Sequence, residues 1–220
     1  MSHLKFDFAA LSAREAYKIL IGTVVPRPIA WVTTMSPEGV PNAAPYSFFN
    51  CLSADPPILA LGVENRGGGA YKDTTWNIRL TEEFTVNIVD GANMEAMNIT
   101  ATPFAADVDE IALAGLTAVP GEMVACPRIA EAPVAFECVR HVGISIGRER
   151  EIVLGRVLAA HIREDVIDPV KLYTDHVALD AIGRMGGHGY ARTQDYFDLP
   201  TMSVETYEER YGERAKRSAG

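Results

Sequence analysis

No two of the three cysteines in this chain of 220 residues, Cys51, Cys126 and Cys138, stand in a C-x-x-C pair. That disfavours both a disulfide framework and a cysteine-built zinc site, and reduced thiols in a cytoplasmic protein are the expectation. The five histidines form no H-x-H or H-E-x-x-H arrangement, which argues against a metal centre. Positive charge is scarce as well: 20 Lys and Arg against 29 Asp and Glu leave a net charge of −9. Such a chain is a poor partner for nucleic acid or an anionic membrane surface. No apolar run is long enough to span a bilayer, and the opening "MSHLKFDFAALSAREAYKILIG" lacks the layout of a signal peptide. Neither the G-x-x-x-x-G-K-[ST] nor the G-x-G-x-x-G order occurs, and no Ser-His-Asp set can be argued.

What is present is a chain with 48% hydrophobic residues, enough for one sizeable core, with no internal repeat, low-complexity tract or linker. We read residues 1–220 as a single domain. "LSAREAYKIL" predicts a short helix, with Ser12 and Glu15 at the spacing of a capping box. "PIAWVTTM", "AAPYSFFNCLS", "ILALGV" and "FTVNIVD" read as strands, separated by turn formers such as "SPEGVPN" and "DPP". "DTTWNIRLTEE" and "NMEAMNITA" read as helices. "PVAFECVRHVGISIG" and "EIVLGRVLAAHIRED" predict a long hairpin that turns at Arg148–Glu151. The stretch Asp168–Leu199 reads as irregular, and "SVETYEERYGERAKRSAG" as a charged, fraying helix. Six or more strands joined by short turns favour antiparallel pairing and argue against a doubly wound sheet. The expected architecture is mainly β, a closed or split antiparallel barrel with peripheral short helices.

Two clusters carry chemistry. "NRGGGAYKDTTWNIRL" sets Arg66, three glycines, Lys72, Asp73, Thr74 and Thr75 around a helix start, with Asp73 the expected N-cap. Exposed N–H groups and the positive end of the helix dipole suit an anion there, phosphate above all. An ordinary helix start behind a Gly-rich connector fits the same residues. "PYSFFNCLSADPP" places Ser47, Phe48, Phe49 and Asn50 at a strand end, a run able to cover a flat ring and bond its edge, or simply to fill a core.

Together these stretches, with "VPRPIAWVTTMSPEGVPN", "VDEIALAGLT" and "IGRMGGHGYARTQDYFDLP", resemble the flavin reductase-like family, in order and over about residues 17–200. The resemblance implies an FMN-binding split β-barrel with the flavin in a groove at a homodimer interface. It implies that Ser47, Phe48, Phe49 and Asn50 lie along the isoalloxazine ring, that Lys72, Asp73 and Thr74 lie at the phosphate with Arg66 as a second contact, and that Thr33 and Thr34 lie near the ribityl chain. A carboxylate set against a phosphate would repel it, so Asp73 is expected to hold the loop and the cap. His188, Tyr190 and Arg192 are the candidates for a second-substrate pocket. The activity implied is an NAD(P)H-dependent FMN reductase, with NADH or NADPH as co-substrate, that supplies a partner monooxygenase. A flavin-binding electron carrier, or an FMN enzyme acting on a small organic substrate, are the alternatives. His141 and His161 alternate with apolar residues and read as structural; Trp31 and Trp76 read as core; Arg27, between two prolines, faces either ligand or solvent; Glu82 and Glu83 read as a solvated helix end.

Overall fold

The computed structural model describes residues 1–147 and 149–218, and side chains up to Tyr211 except at position 67. In chain order its elements are α1 (Ala13–Thr23), β1 (Arg27–Pro28), β2 (Ala30–Met35), β3 (Pro41–Tyr46), β4 (Phe49–Ala54), β5 (Pro57–Glu64), α2 (Asp73–Thr81), β6 (Glu83–Ile88), α3 (Met94–Ile99), α4 (Glu110–Leu113), β7 (Ala118–Val119), β8 (Arg128–Ile129), β9 (Val134–Ser145), β10 (Arg150–Ile162), α5 (His176–Leu179), β11 (Ile182–Arg184), β12 (Tyr190–Arg192) and α6 (Val204–Ser218). The mainly β, antiparallel architecture expected from the turns is present. Of the hairpin turn, Arg148 lies outside the described residues. The stretch read as irregular contributes α5, β11 and β12; the latter two are only three residues each, too short for periodicity to reveal.

Seven strands form one sheet in the order β3-β2-β6-β9-β10-β5-β4. Its two edges, β3 and β4, are consecutive in the chain, joined by Ser47 and Phe48 alone. Laid flat, seven strands would hold the edges roughly 29 Å apart. The chain from Tyr46 to Phe49 spans at most about 11 Å. The sheet must therefore roll until the edges meet at Ser47. No ladder joins β3 to β4 among the described residues, so the barrel stays split there.

The period of 2 along β2 shows why its sequence is so apolar. Ala30 and Val32 point into the barrel with Leu61, Phe84, Val86 and Val153. Ile29 and Trp31 point the other way, against Met97, Ile129 and Ile182. Both faces are covered, by barrel interior on one side and by α3, β8 and β11 on the other. Inside the barrel the Phe84 ring fills the space a side chain at position 155 would take, since a Cβ on Gly155 would meet it. Trp31 is core as expected, but Trp76 is exposed and stacks on Tyr71 at 6.0 Å, because it falls on the outer face of α2. His161 is structural: its Nε2 lies 2.6 Å from the buried carboxylate of Glu137. That carboxylate also accepts the N–H groups of Glu122, Met123 and Val124 and so ties a long loop to β9. Burial acts to raise the Glu137 carboxyl, but those N–H groups and the His161 ring outweigh it and hold it below the usual carboxylate range. No helix among the described residues is long and apolar enough to cross a membrane.

Candidate functional site: a groove across the barrel seam

Three recesses run together along the seam. A recess of about 170 Å³ is lined by Asn42, Arg66, Lys72, Asp73, Thr74 and Glu110, among others. It meets a cavity of about 790 Å³ at Pro45, Tyr46 and Ala101, which line both. The cavity's other walls include Tyr17, Met94, Glu95, Arg184, His188 and Tyr190. Ser47 joins it to a third recess of about 340 Å³, where Phe48, Phe49 and Asn50 sit beside Leu20, Val24 and Pro28. Of the four residues expected along a ring, Ser47 alone therefore lines the large cavity.

The small recess is built on the start of α2, one residue earlier than Asp73 would place it. Lys72, in extended conformation, is the N-cap, and Asp73 is the first helical residue. The first α2 N–H to find a partner is that of Trp76, on the Lys72 carbonyl at 2.9 Å. Lysine has no acceptor to cap with, and no side chain caps this helix. The Asp73 carboxylate is drawn aside by Arg66, whose Nη2 lies 2.8 Å away. Arg66 gets there because the loop closes on itself, Arg66 N–H to the Ala70 carbonyl at 2.7 Å, with Gly68 and Gly69 at φ of 78° and 85°. A side chain at either glycine would be strained there.

Thr74, which the family resemblance sets at the phosphate, is buried. Its hydroxyl accepts from Asn42 Nδ2 at 3.0 Å. Thr34 is likewise buried and accepts from Asn77 Nδ2 at 3.0 Å and Asn42 Nδ2 at 3.4 Å. Thr33 is buried on the opposite face and bonded to the Pro127 carbonyl and Asn87. Neither Thr33 nor Thr34 lines the groove: both faces of β2 are covered, so its threonines are held inside. Thr34, Asn42, Asn77 and Thr74 instead form a network that ties α2 to β2 and β3. Thr75 Oγ1, in the same turn, is buried without a partner.

The recess is rich in donors. Lys72 forms no ion pair among the described residues. Burial pushes the Tyr46 phenol up to about 12, so its O–H stays protonated. Glu110 is buried and accepts the Ala43 N–H at 3.1 Å. Burial holds its carboxyl above the ordinary range against that N–H, and Asp73 and Asp109 push the same way.

At the other end, the candidates part. His188 and Tyr190 line the cavity. Arg192 does not line the cavity: it is exposed and paired with Asp180 at 3.1 Å. Arg27 borders the third recess but is buried, donating to the carbonyls of Ile21 (2.6 Å), Val24 (2.8 Å) and Met185 (3.1 Å) and to Ser47 Oγ (3.4 Å). Sequence reasoning missed Tyr46, Glu110 and Arg184. Glu110 and Arg184 lie inside "VDEIALAGLT" and "IGRMGGHGY", and an inward-facing charge amid apolar residues was the available signal.

Residues 21–178 match the flavin reductase like domain. The chain belongs to the flavin reductase-like family. An uncharacterized protein of Deinococcus radiodurans is 43% identical over 220 residues, 97% of this chain and 96% of its own length. Among solved structures, nitrilotriacetate monooxygenase component B from Bacillus cereus superposes with a TM-score of 0.87 at 34% identity, covering 90% of this chain and 100% of that one. The 2-nitrobenzoate 2-nitroreductase NbaA from Pseudomonas fluorescens gives 0.84 at 35% identity, over 91% and 98% of the two chains. The rolled, unclosed sheet is the family's split barrel. The residues present fit a flavin nucleotide: a donor-rich recess of phosphate size opens past Tyr46 into a cavity in the range of small-ligand sites.

Proposed function

We propose that this protein binds FMN along the seam and is an NAD(P)H-dependent flavin reductase that supplies a partner monooxygenase. The observation that carries the reading is the uncapped start of α2. Its N–H groups and dipole, with Lys72 beside them, form an anion site at one end of a groove otherwise suited to a flat ring. Lys72 supplies charge, Arg66 keeps the Asp73 carboxylate engaged, and the Asn42–Thr74 bond holds the turn in place. Tyr46 offers a protonated O–H where the two compartments meet, and Ser47 is steadied by Arg27. When bound, the flavin supplies the redox chemistry, taking electrons from a reduced nicotinamide and handing them on. The likeness to a monooxygenase component B supports a partner oxygenase.

The comparable likeness to a nitroreductase supports a second reading, in which bound FMN reduces a small organic substrate admitted to the 790 Å³ cavity. Titration with FMN and riboflavin is expected to show much tighter binding of FMN; equal affinities would remove the phosphate assignment. Consumption of NADH or NADPH with free FMN as acceptor then separates reductase from nitroreductase or electron carrier.

Pairing of two copies is part of the same proposal. Phe48 beside edge strand β4, with Leu20 of α1 and Val24 just after it, are large exposed apolar side chains lining the third recess, and Leu52 on β4 is exposed as well. Light scattering at micromolar concentration is expected to give twice the chain mass of 23.9 kDa; a monomer with FMN bound overturns it.

A further inference from the structure

We propose that Arg184 is the oxyanion-binding residue for the second substrate, taking a phosphate or carboxylate group of the molecule that enters the 790 Å³ cavity. This rests on the reading of that cavity as the second-substrate site. Arg184 ends β11, and the ladder register sets it directly opposite Arg27 on β1. Residues so paired send their side chains to the same side, and two cations there repel. No protein carboxylate balances them: neither arginine forms an ion pair among the described residues. Arg27 is buried and consumed by carbonyls and a hydroxyl, so its charge is solvated only by neutral dipoles. In a chain with 29 acidic residues against 20 Lys and Arg, this cationic corner is an exception to the prevailing sign. Concentrated positive charge beside a cavity attracts an anion, and buried charge in proteins is normally paired.

Arg184 is also held ready. Its guanidinium lies over the Tyr190 ring, 4.5 Å from the centroid, and Nη2 donates to the Gly187 carbonyl at 2.8 Å. That carbonyl is presented by a tight turn, closed by Met185 N–H on the Gly189 carbonyl at 3.0 Å, with Gly187 at a φ of 59°. The "GGHGY" run thus has a structural purpose: it carries the brace for Arg184 and sets His188 in the same wall. The other guanidinium N–H groups have no protein acceptor among the described residues. A planar fork fixed before the ligand arrives suits a carboxylate or phosphate, and loses little conformational freedom on binding. Glu95, the one acid among the described residues that line the cavity, forms no ion pair with it. The groove would then hold two anion sites, Lys72 at one end for the flavin and Arg184 at the other for its reaction partner.

The test uses FMN-loaded protein and two matched pairs of probes. NADH or NADPH is compared with the neutral donor 1-benzyl-1,4-dihydronicotinamide by KM. 2-Nitrobenzoate is compared with 2-nitrobenzamide by the shift of the flavin spectrum. Arg184→Gln is expected to weaken at least one oxyanion probe about 10- to 100-fold, with its neutral counterpart within about twofold. Arg184→Lys should fall between, and Glu95→Gln should leave oxyanion affinity unchanged or tighter, since it removes a like-signed neighbour of the ligand. Equal loss for charged and neutral probes, no loss for either oxyanion, or wild-type protein that prefers neither oxyanion would overturn the assignment. So would an Arg184→Gln protein that loses FMN but not riboflavin, which would put the flavin phosphate at Arg184. If wild-type protein consumes neither NADH nor NADPH, yet Arg184→Gln selectively loses 2-nitrobenzoate, the reductase reading fails and this one stands.

Discussion

Helices α1 and α2 begin in opposite ways. At α1, the Ser12 hydroxyl accepts the Glu15 N–H and the Glu15 carboxylate accepts the Ser12 N–H at 2.9 Å, a complete capping box. At α2, the cap position holds Lys72, and the turn's one carboxylate, Asp73, is bonded to Arg66. The burial is reversed too: α1 buries none of its residues, whereas α2 buries Thr74, Thr75, Asn77 and Ile78. A surface helix with little packing finishes its own terminus. A helix anchored by side chains in the barrel can leave its terminus unfinished, and the open donors then face a recess. The contrast is what makes the α2 start the candidate for the proposed anion site and the α1 start only a helix start.

The sharpest way to break this contrast is to cap α2. Lys72→Asp supplies an acceptor and removes the cation. FMN affinity is expected to fall at least about 100-fold, riboflavin affinity hardly at all, because a charge-assisted contact and an open N–H are both lost. The flavin-free protein should at the same time gain about 1 kcal/mol of stability from the new cap. Parallel titrations and thermal melts check both; equal losses for the two flavins would show that the open terminus is not a phosphate site.

The reciprocal change is Ser12→Ala. It should cost about 1 kcal/mol, read as a lower urea midpoint, and leave FMN affinity unchanged. Movement of the two together would mean that the starts are coupled, through Tyr17 and the cavity it lines.

The smallest effect concerns Glu110, whose carboxyl burial holds above the ordinary range. The folded state keeps this proton at a pH where the unfolded chain has released it. Its contribution to stability is therefore present at lower pH and lost as pH rises from the unfolded value through the folded one. FMN affinity should fall a few-fold over that rise, as a carboxylate forms beside the phosphate recess. Glu110→Gln keeps an acceptor for the Ala43 N–H and should flatten the profile. A profile unchanged by the substitution would place the titration elsewhere.

Much of this was legible in the sequence. The Ser12–Glu15 box follows from spacing, since a cap needs only a hydroxyl and a carboxylate three residues apart, and the long hairpin and the strand of "AWVTTM" follow from runs of strand-forming residues, β-branched and aromatic, bounded by turn formers or charges. "KDTT" marked the helix start to within one residue, with Lys72 rather than Asp73 at the cap. Asp73 is as good a cap as Ser12 by residue type, but it is already the first helical residue, and its carboxylate is bonded to Arg66 across the glycine loop. Thr33 and Thr34 illustrate a second gap. A strand threonine reads the same whether it faces a ligand or an interior asparagine, and the cover on both faces of β2 decided it.

The sequence by itself determined the class of fold, the order of strands and helices, and the residues among which an anion site had to be found, because all of these rest on contacts within a few positions of the chain. Only the tertiary structure decided which of those residues meet. The roll of the sheet, forced by the two-residue link between its edges, brings Tyr46 and Ser47 between the α2 start and the turn that carries His188. The pairing of β1 with β11 sets Arg27 opposite Arg184 across 157 positions of chain. Neither is encoded in a local pattern, since a cross-strand neighbour is chosen by the closure of the whole sheet and by what that closure leaves uncovered.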